Sequence, residues 1–318
     1  MLVSTSMTGS TINQMFPKSG KVSLTGSMAA GLQQLLPRLV FSPSLALILC
    51  FVYGFILYSI YLSLTSSRIL PIHDWVGLAN YSRLFGLPHW HIAIRNLAVF
   101  GSLYIIFCIA IGLALAILLD QKIRLEGGIR SVLLYPMALS FIVTGTAWKW
   151  LLDPGVGLEH SVQLLGFTGF HFGWIKDSDL AIYTLVIAAV WHTSGFVMAL
   201  FLAGLRGIDE EILKAARIDG ATGLRLYARI VIPQLRPALF SAIIVLTHLA
   251  IKSYDLVIAL TGGGPGRATE LPATFMYSYT FTRNQMGIGA GAAVIMLMTV
   301  AAVMIPYLHS EAGGRRHD

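Results

Sequence analysis

The sequence predicts an all-α membrane protein, in which six transmembrane helices carry a two-helix loop on the cytoplasmic side. Of its 318 residues 56% are hydrophobic and only 12% are charged, whereas soluble domains carry about 25% charged residues. Six apolar stretches are long enough to cross the bilayer, which takes roughly 20 helical residues. The segment 206–237, between the fourth and fifth stretches, is polar but regularly patterned.

The apolar stretches cover residues 39–64, 96–119, 130–152, 180–204, 238–260 and 286–308, here called spans one to six. They are predicted to be helical, because a strand would leave backbone groups unsatisfied in lipid. Residues 1–37 are predicted to form a disordered cytoplasmic tail, residues 38–310 the transmembrane domain, and residues 311–318 a cytoplasmic C-terminal tail. Cys50 and Cys108 lie inside spans, so they are expected to behave as small hydrophobic residues.

The placement of Lys and Arg sets the expected orientation. Most of the 22 basic residues lie near the termini, between spans two and three, and in segment 206–237. Both termini are therefore expected in the cytoplasm. The net charge of +7 then reflects topology, and no nucleic-acid partner is expected.

Segment 206–237 has the pattern of two short helices. Asp209 is expected to cap the first helix, with Glu210 and Glu211 in its first turn, where carboxylates favour the positive end of the helix dipole. The small Ala215 lies at its tip, and Gly220 is expected to end it. The pattern fits a knob that enters a groove on a cytoplasmic partner, and equally an amphipathic loop that lies on lipid headgroups.

A second helix is expected after Gly220. Thr222 is its predicted cap, and Pro233 is expected to end it. Its apolar stripe comprises Leu224, Tyr227 and Val231.

The segment resembles the EAA loop of permease subunits of ATP-binding-cassette (ABC) importers. Lys214-Ala215-Ala216 is followed at the family's spacing by Gly220, Ile230 and Ile232-Pro233, and residues 218–221 are similar to the carbohydrate branch. Lys214 departs from the family's Glu, for which Glu210 or Glu211 could substitute. The resemblance implies that the loop contacts the ATPase through Glu210, Glu211, Lys214, Ala215, Ala216, Asp219, Gly220 and Pro233. We call residues 206–237 the coupling loop.

A second resemblance lies downstream. Tyr254-Asp255 and the turn Thr261-Gly262-Gly263-Gly264-Pro265 resemble the end of span five in carbohydrate-import permeases. Trp148-Lys149-Trp150 and residues 271–291 are similar to the subgroup that imports glucose and related monosaccharides. The resemblance implies a type I ABC importer permease in the bacterial plasma membrane. Its partners would be a second permease subunit, two ATPase subunits, a periplasmic or extracellular sugar-binding protein and membrane lipid.

No Gly-x4-Gly-Lys-Ser/Thr motif occurs in the sequence, so no ATP site is expected in this chain. The resemblance places ATP and Mg on the partner ATPase. The nine His residues show no metal-ligand spacing with a carboxylate, and no Ser-His-Asp arrangement is apparent. The chain is therefore predicted to have no metal site, no cofactor and no catalytic activity of its own.

Aromatic and ionisable residues within the spans are candidates for a sugar path, because aromatic faces cover a sugar ring and polar groups satisfy its hydroxyls. The candidates are Trp148, Trp150, His192, Lys252, Tyr254 and Asp255. Lys252 and Asp255 are three residues apart, so they are expected on one helix face, where they could pair. Such a pair could equally brace two helices without touching solute.

Three alternatives stay open at this point. The importer could carry glycerol phosphate or another polyol, because the loop specifies energy coupling and not cargo. The chain could be an ion-coupled secondary carrier that uses Lys252 and Asp255. It could also be a membrane receptor or scaffold.

Overall fold

The computed structural model describes residues 42–68, 74–121, 124–221 and 223–314. The predicted tail 1–37, the cap Thr222 and the last four residues lie outside this part of the chain. The described residues are helical apart from turns, loops and one isolated antiparallel bridge between Thr65 and Trp75. Residues up to Ile56 form one unit, and the chain from Leu57 onward forms a second unit that holds the sites considered below.

The helices are numbered in chain order. They are α1 Ser42–Ser63, α2 Ala79–Gly86, α3 Pro88–Leu119, α4 Glu126–Ala138, α5 Phe141–Leu151, α6 Leu158–Leu164, α7 Ala181–Arg206, α8 Glu210–Ile218, α9 (the turn Gly223–Leu226 continued by Tyr227–Gln234), α10 Arg236–Ile251, α11 Asp255–Leu260, α12 Pro272–Tyr277 and α13 Met286–Gly314.

Four of these helices are each long and apolar enough to cross a membrane, namely α1, α3, α7 and α13. Two bent pairs pass the same test together: α4 with α5, bent by 98°, and α9 with α10, bent by 62°. The described residues therefore supply four candidate spans, or up to six if each bent pair counts as one. The all-α membrane class is confirmed, whereas the count of six crossings stays a prediction that is reached only at this upper limit.

The third predicted span, residues 130–152, is helical but broken into two segments. Pro136 lies in the last turn of α4, and Leu139 is extended. Ser140 then starts a new helix, because its hydroxyl accepts a hydrogen bond from the backbone N–H of Val143 at 3.3 Å. A proline, which lacks the N–H donor, four residues before a serine cap is a local signal for a helix break.

Span five is also broken. Helix α10 ends at Ile251 and α11 begins at Asp255. The backbone N–H of Tyr254 donates to the carbonyl of Lys252 at 2.7 Å instead of continuing the helical ladder. Lys252 and Asp255 therefore lie in different segments, which corrects their expected place on one helix face. No ion pair joins these two residues in the described chain.

Helix α7 is the most enclosed candidate span, with 67% of its apolar window buried. It packs on α3, α4 and α10. Glycines allow these close approaches: a Cβ at Gly195 would lie 1.9 Å from the carbonyl oxygen of Leu133 in α4, and one at Gly112 in α3 would lie 2.7 Å from Val197. Small residues at such contacts are typical of helices packed within a membrane.

Candidate coupling loop and transport path

The first helix of the coupling loop is present. The carboxylate of Asp209 accepts a hydrogen bond from the backbone N–H of Glu211 at 2.9 Å, as the predicted cap requires. The helix α8 ends at Ile218, and Gly220 has φ of +81°, a left-handed conformation that glycine adopts without strain. The N–H of Ala221 closes the end by donating to the carbonyl of Ala216 at 2.9 Å.

The charge at Lys214 is already partnered within α8. Its Nζ lies 3.1 Å from Oε2 of Glu210, one helical turn earlier. Both side chains are largely exposed, so the pair contributes only about 0.3–0.5 kcal/mol to the helix. Glu211 forms no ion pair within the described residues. Of the two glutamates that could replace the family's glutamate, only Glu211 therefore has no ion-pair partner among the described residues, which leaves its carboxylate available to the ATPase.

Helix α8 has one packed side and one open side. Ala216 is 6% exposed and packs into the main apolar core, with Leu213 partly buried beside it. Ile212 and Ala215 face outward, and Ile218 is 86% exposed. The loop therefore presents uncovered apolar surface next to Gly220, a feature of contact sites.

The second helix of the coupling loop is longer than predicted. It begins at Gly223 and continues to Gln234, so Pro233 lies in its last turn and does not end it. The N–H of Leu235 donates to the carbonyl of Val231 at 3.1 Å, and the chain bends there into α10. Arg225 is exposed, whereas Val231 is buried, as the stripe predicted.

The ionisable groups of span five are uncovered. Phe240 and His248 on α10, and Lys252 directly after its end, are four or eight residues apart and are exposed. Beyond the break, Asp255 is exposed as well. Ionisable groups in a span cost about 2.5–3.5 kcal/mol on insertion scales and usually face a cavity or another protein segment. This side of span five is therefore suited to water or to a protein partner.

The other predicted path residues are spread over two places. Trp148 of α5 contacts Trp191 of α7 edge to face, at 5.9 Å between ring centroids, and Trp150 is 70% exposed. His192 is only 5% exposed, with its Nδ1 3.0 Å from the hydroxyl oxygen of Thr144. In this conformation His192 is thus enclosed between spans three and four.

Tyr254, a predicted path residue, begins a row of three aromatic rings whose other two members, Tyr277 and Phe281, the sequence predictions missed. Its ring lies 4.8 Å from that of Tyr277, which in turn lies 5.0 Å from Phe281. The sequence did carry a signal for this row: Tyr277 and Phe281 are four residues apart in a helical segment that begins at Pro272, so their rings are expected on one face. No cluster of His, Cys, Asp and Glu fit for a metal occurs in the described residues.

Comparison with known proteins agrees with this architecture. Residues 107–312 match the family of binding-protein-dependent transport system inner membrane components. A probable ABC transporter permease protein of Pyrococcus horikoshii is 40% identical over 84% of this chain and 92% of its own length. The xylose/arabinose import permease protein XacH of Haloferax volcanii is 35% identical over 71% of this chain and 72% of its own.

The fold also has a solved counterpart. The crystal structure of a bacterial ABC transporter involved in the import of the acidic polysaccharide alginate aligns with a TM-score of 0.74. The alignment has 16% identity and covers 89% of this chain and 96% of that one.

The chain belongs to the binding-protein-dependent transport system inner membrane component family. It is an ABC importer permease of the carbohydrate-uptake type, as the loop resemblance predicted, and permease subunits of this kind are non-catalytic membrane components. This membership sets aside the ion-coupled carrier and the receptor or scaffold as alternatives.

Proposed function

We propose that this permease translocates a monosaccharide such as glucose by alternating access. It would act with a second permease subunit, two ATPase subunits that bind ATP and Mg, and a periplasmic or extracellular sugar-binding protein. In this proposal both termini and the coupling loop lie in the cytoplasm, and span five rises from the loop toward the outer side. The pentose-importing relative supports the sugar class.

The observation that carries the proposal is the direct connection between the loop and the core. Helix α8 begins only four residues after α7 ends, and α7 is the most enclosed candidate span. Its open side presents Ala215 and Ile218 to a partner, while Ala216 anchors it to the core. Movement of an ATPase bound at this tip would therefore be passed to α7.

The solute would follow the open side of span five. Lys252 and Asp255 would bond sugar hydroxyls, and Tyr254 would cover a ring face. Trp148 and Trp150 would line the path on span three. His192 would become reachable only when spans three and four separate.

Substitution of Gly220 by Trp tests the coupling loop. The variant should lose ATPase co-purification and uptake, because a large side chain at a strained backbone position would obstruct docking. Gly166→Trp is the matched control, since Gly166 is also exposed, has φ of +100° and would have no atom within 4 Å of an added Cβ. Full assembly and uptake by Gly220→Trp would refute the loop assignment.

Glycerol phosphate remains the second candidate cargo, favoured by one observation. Lys252 is exposed and forms no ion pair in the described chain, so its ammonium group could meet a phosphate. Competition of unlabelled sn-glycerol 3-phosphate and glucose against labelled uptake by the whole importer distinguishes the two cargoes.

A further inference from the structure

A cavity of about 280 Å³ lies where span five ends and the chain turns toward span six. It is distinct from the exposed side of α10, which carries Phe240 and His248. Its lining includes Tyr254, Arg267, Glu270, Tyr277, Thr282 and Arg283. Helix α10 has 16 residues, so this cavity lies roughly 24 Å or more along the span from the coupling loop.

Two aromatic rings, those of Tyr254 and Tyr277, line the cavity, and the ring of Phe281 adjoins Tyr277 outside the lining. Tyr254 and Tyr277 are inclined at 40° with centroids 4.8 Å apart, and Tyr277 and Phe281 at 46° with centroids 5.0 Å apart. Tyr277 is 42% exposed and Phe281 is 59% exposed, so neither ring is buried in the core. Tilted, uncovered rings offer faces to the apolar side of a sugar ring.

The opposite wall is polar and held in place. Arg267 Nη1 donates to Glu270 Oε2 at 3.0 Å, and the Glu270 side chain is only 10% exposed. The amide of Asn96 on α3 donates to the backbone carbonyls of Arg267 and Glu270, at 3.3 and 3.0 Å. This bonding fixes the turn to a neighbouring span, so its polar groups are positioned before any solute arrives.

Arg283 completes the cavity from the other end of the turn. Its guanidinium lies 4.7 Å from the centre of the Tyr279 ring, and its Nη1 donates to the Tyr279 hydroxyl at 3.2 Å. The cavity thus combines aromatic faces, guanidinium donors and a carboxylate acceptor whose charge is balanced by Arg267. That combination suits the ring face and hydroxyls of a sugar.

We infer that Tyr254 and Tyr277, which line the cavity together with the Arg267–Glu270 pair, form an outer sugar site that Phe281 extends beside Tyr277. It receives a sugar ring at the far end of span five. The inference rests on the proposed function for the sugar class and the orientation. It adds Tyr277, Phe281, Arg267 and Glu270 to the residues that contact solute.

Uptake by the complete importer in proteoliposomes, at saturating binding protein, tests the site with labelled glucose, xylose and sn-glycerol 3-phosphate. Tyr277→Ala should lower the maximal uptake rate of the transported sugar by up to roughly tenfold, from the loss of a stacking ring. Tyr277→Phe keeps the ring and should stay within about twofold of the wild type.

Three outcomes overturn the inference. Wild-type sugar uptake by Tyr277→Ala would show that the ring contacts no solute. An equal loss of glycerol 3-phosphate uptake, a solute with no ring to stack, would show a purely structural role. If the wild type carries neither sugar, the proposed function itself fails and this site fails with it; sugar uptake that Tyr277→Ala leaves intact overturns only the site.

Thiol labelling separates a solute site from a lipid-facing aromatic surface. Phe281→Cys, in a Cys50→Ser, Cys108→Ala background, should react with a charged, membrane-impermeant methanethiosulfonate reagent added outside, and the transported sugar should slow the reaction. Met298→Cys on α13, exposed by 65% in an apolar span, should not react. Phe281→Cys that stays unlabelled, or whose labelling ignores sugar, contradicts the inference.

Discussion

Gly195 shows how much a single hydrogen atom can matter in this bundle. A Cβ there would meet the Leu133 carbonyl oxygen at 1.9 Å, far inside van der Waals contact. Gly195→Ala should therefore destabilise the permease by about 3 kcal/mol, as overpacking against backbone does, measured as a lower denaturation midpoint in mixed micelles. Gly101→Ala is the control, because its Cβ would meet Ala250 at an ordinary 3.8 Å. Equal stability of the two variants would contradict the packing.

Glu159 ties together the segment between spans three and four. The backbone N–H of Phe172 donates to Oε2 at 3.0 Å and His171 Nδ1 lies 3.1 Å from Oε1. These bonds hold the pKa of the Glu159 carboxyl below its usual 4.5. The unfolded segment thus binds more protons, so the stabilisation is complete above about pH 4.5 and is lost as the pH falls through the lowered pKa.

Trp174 reports on this transition, since its ring stacks on Phe172 at 4.6 Å. The fluorescence difference between the wild type and Trp174→Phe should change below about pH 4.5 as the segment loosens. Glu159→Gln, which cannot ionise, should show no such step. A step of the same size in Glu159→Gln would assign the transition to another group.

At the scale of elements, the break in span five makes Lys252 and Asp255 independent. Because no ion pair joins them, the double-mutant cycle of Lys252→Met and Asp255→Asn should give a coupling energy below roughly 0.5 kcal/mol in unfolding. The cycle of Arg267→Met and Glu270→Gln is the positive comparison, since those groups are 3.0 Å apart. Strong coupling between Lys252 and Asp255 would mean that the helix is continuous.

Apolar runs predicted where helices occur but not where they bend. A run of 20 apolar residues satisfies the bilayer equally well when straight or broken, so hydropathy carries no information on the 98° turn between α4 and α5. The signals were local ones, such as Pro136 and Ser140. In the first helix of the coupling loop, by contrast, Asp209 and Gly220 determined the helix ends by their own side-chain and backbone chemistry, and the prediction of those two ends was correct.

For the whole molecule, composition and motif spacing were enough to predict the membrane class and the permease family. They did not predict the cavity at the far end of span five, because its lining includes Tyr254, Arg267, Tyr277 and Arg283, which only folding brings together. His192 illustrates the same limit. Its sequence position suggested a path residue, whereas contacts with Thr144 and Phe141 enclose it.

Gly195 also lies near the middle of α7, about 16 Å from Arg206 and about 21 Å from Ala181. The tight contact with Leu133 makes that point a natural fulcrum. If the coupling loop pushed the Arg206 end of α7, as proposed above, the helix would pivot about this contact and its Ala181 end would move in the opposite direction. One push at Asp209 would then narrow one mouth of the bundle as it widens the other.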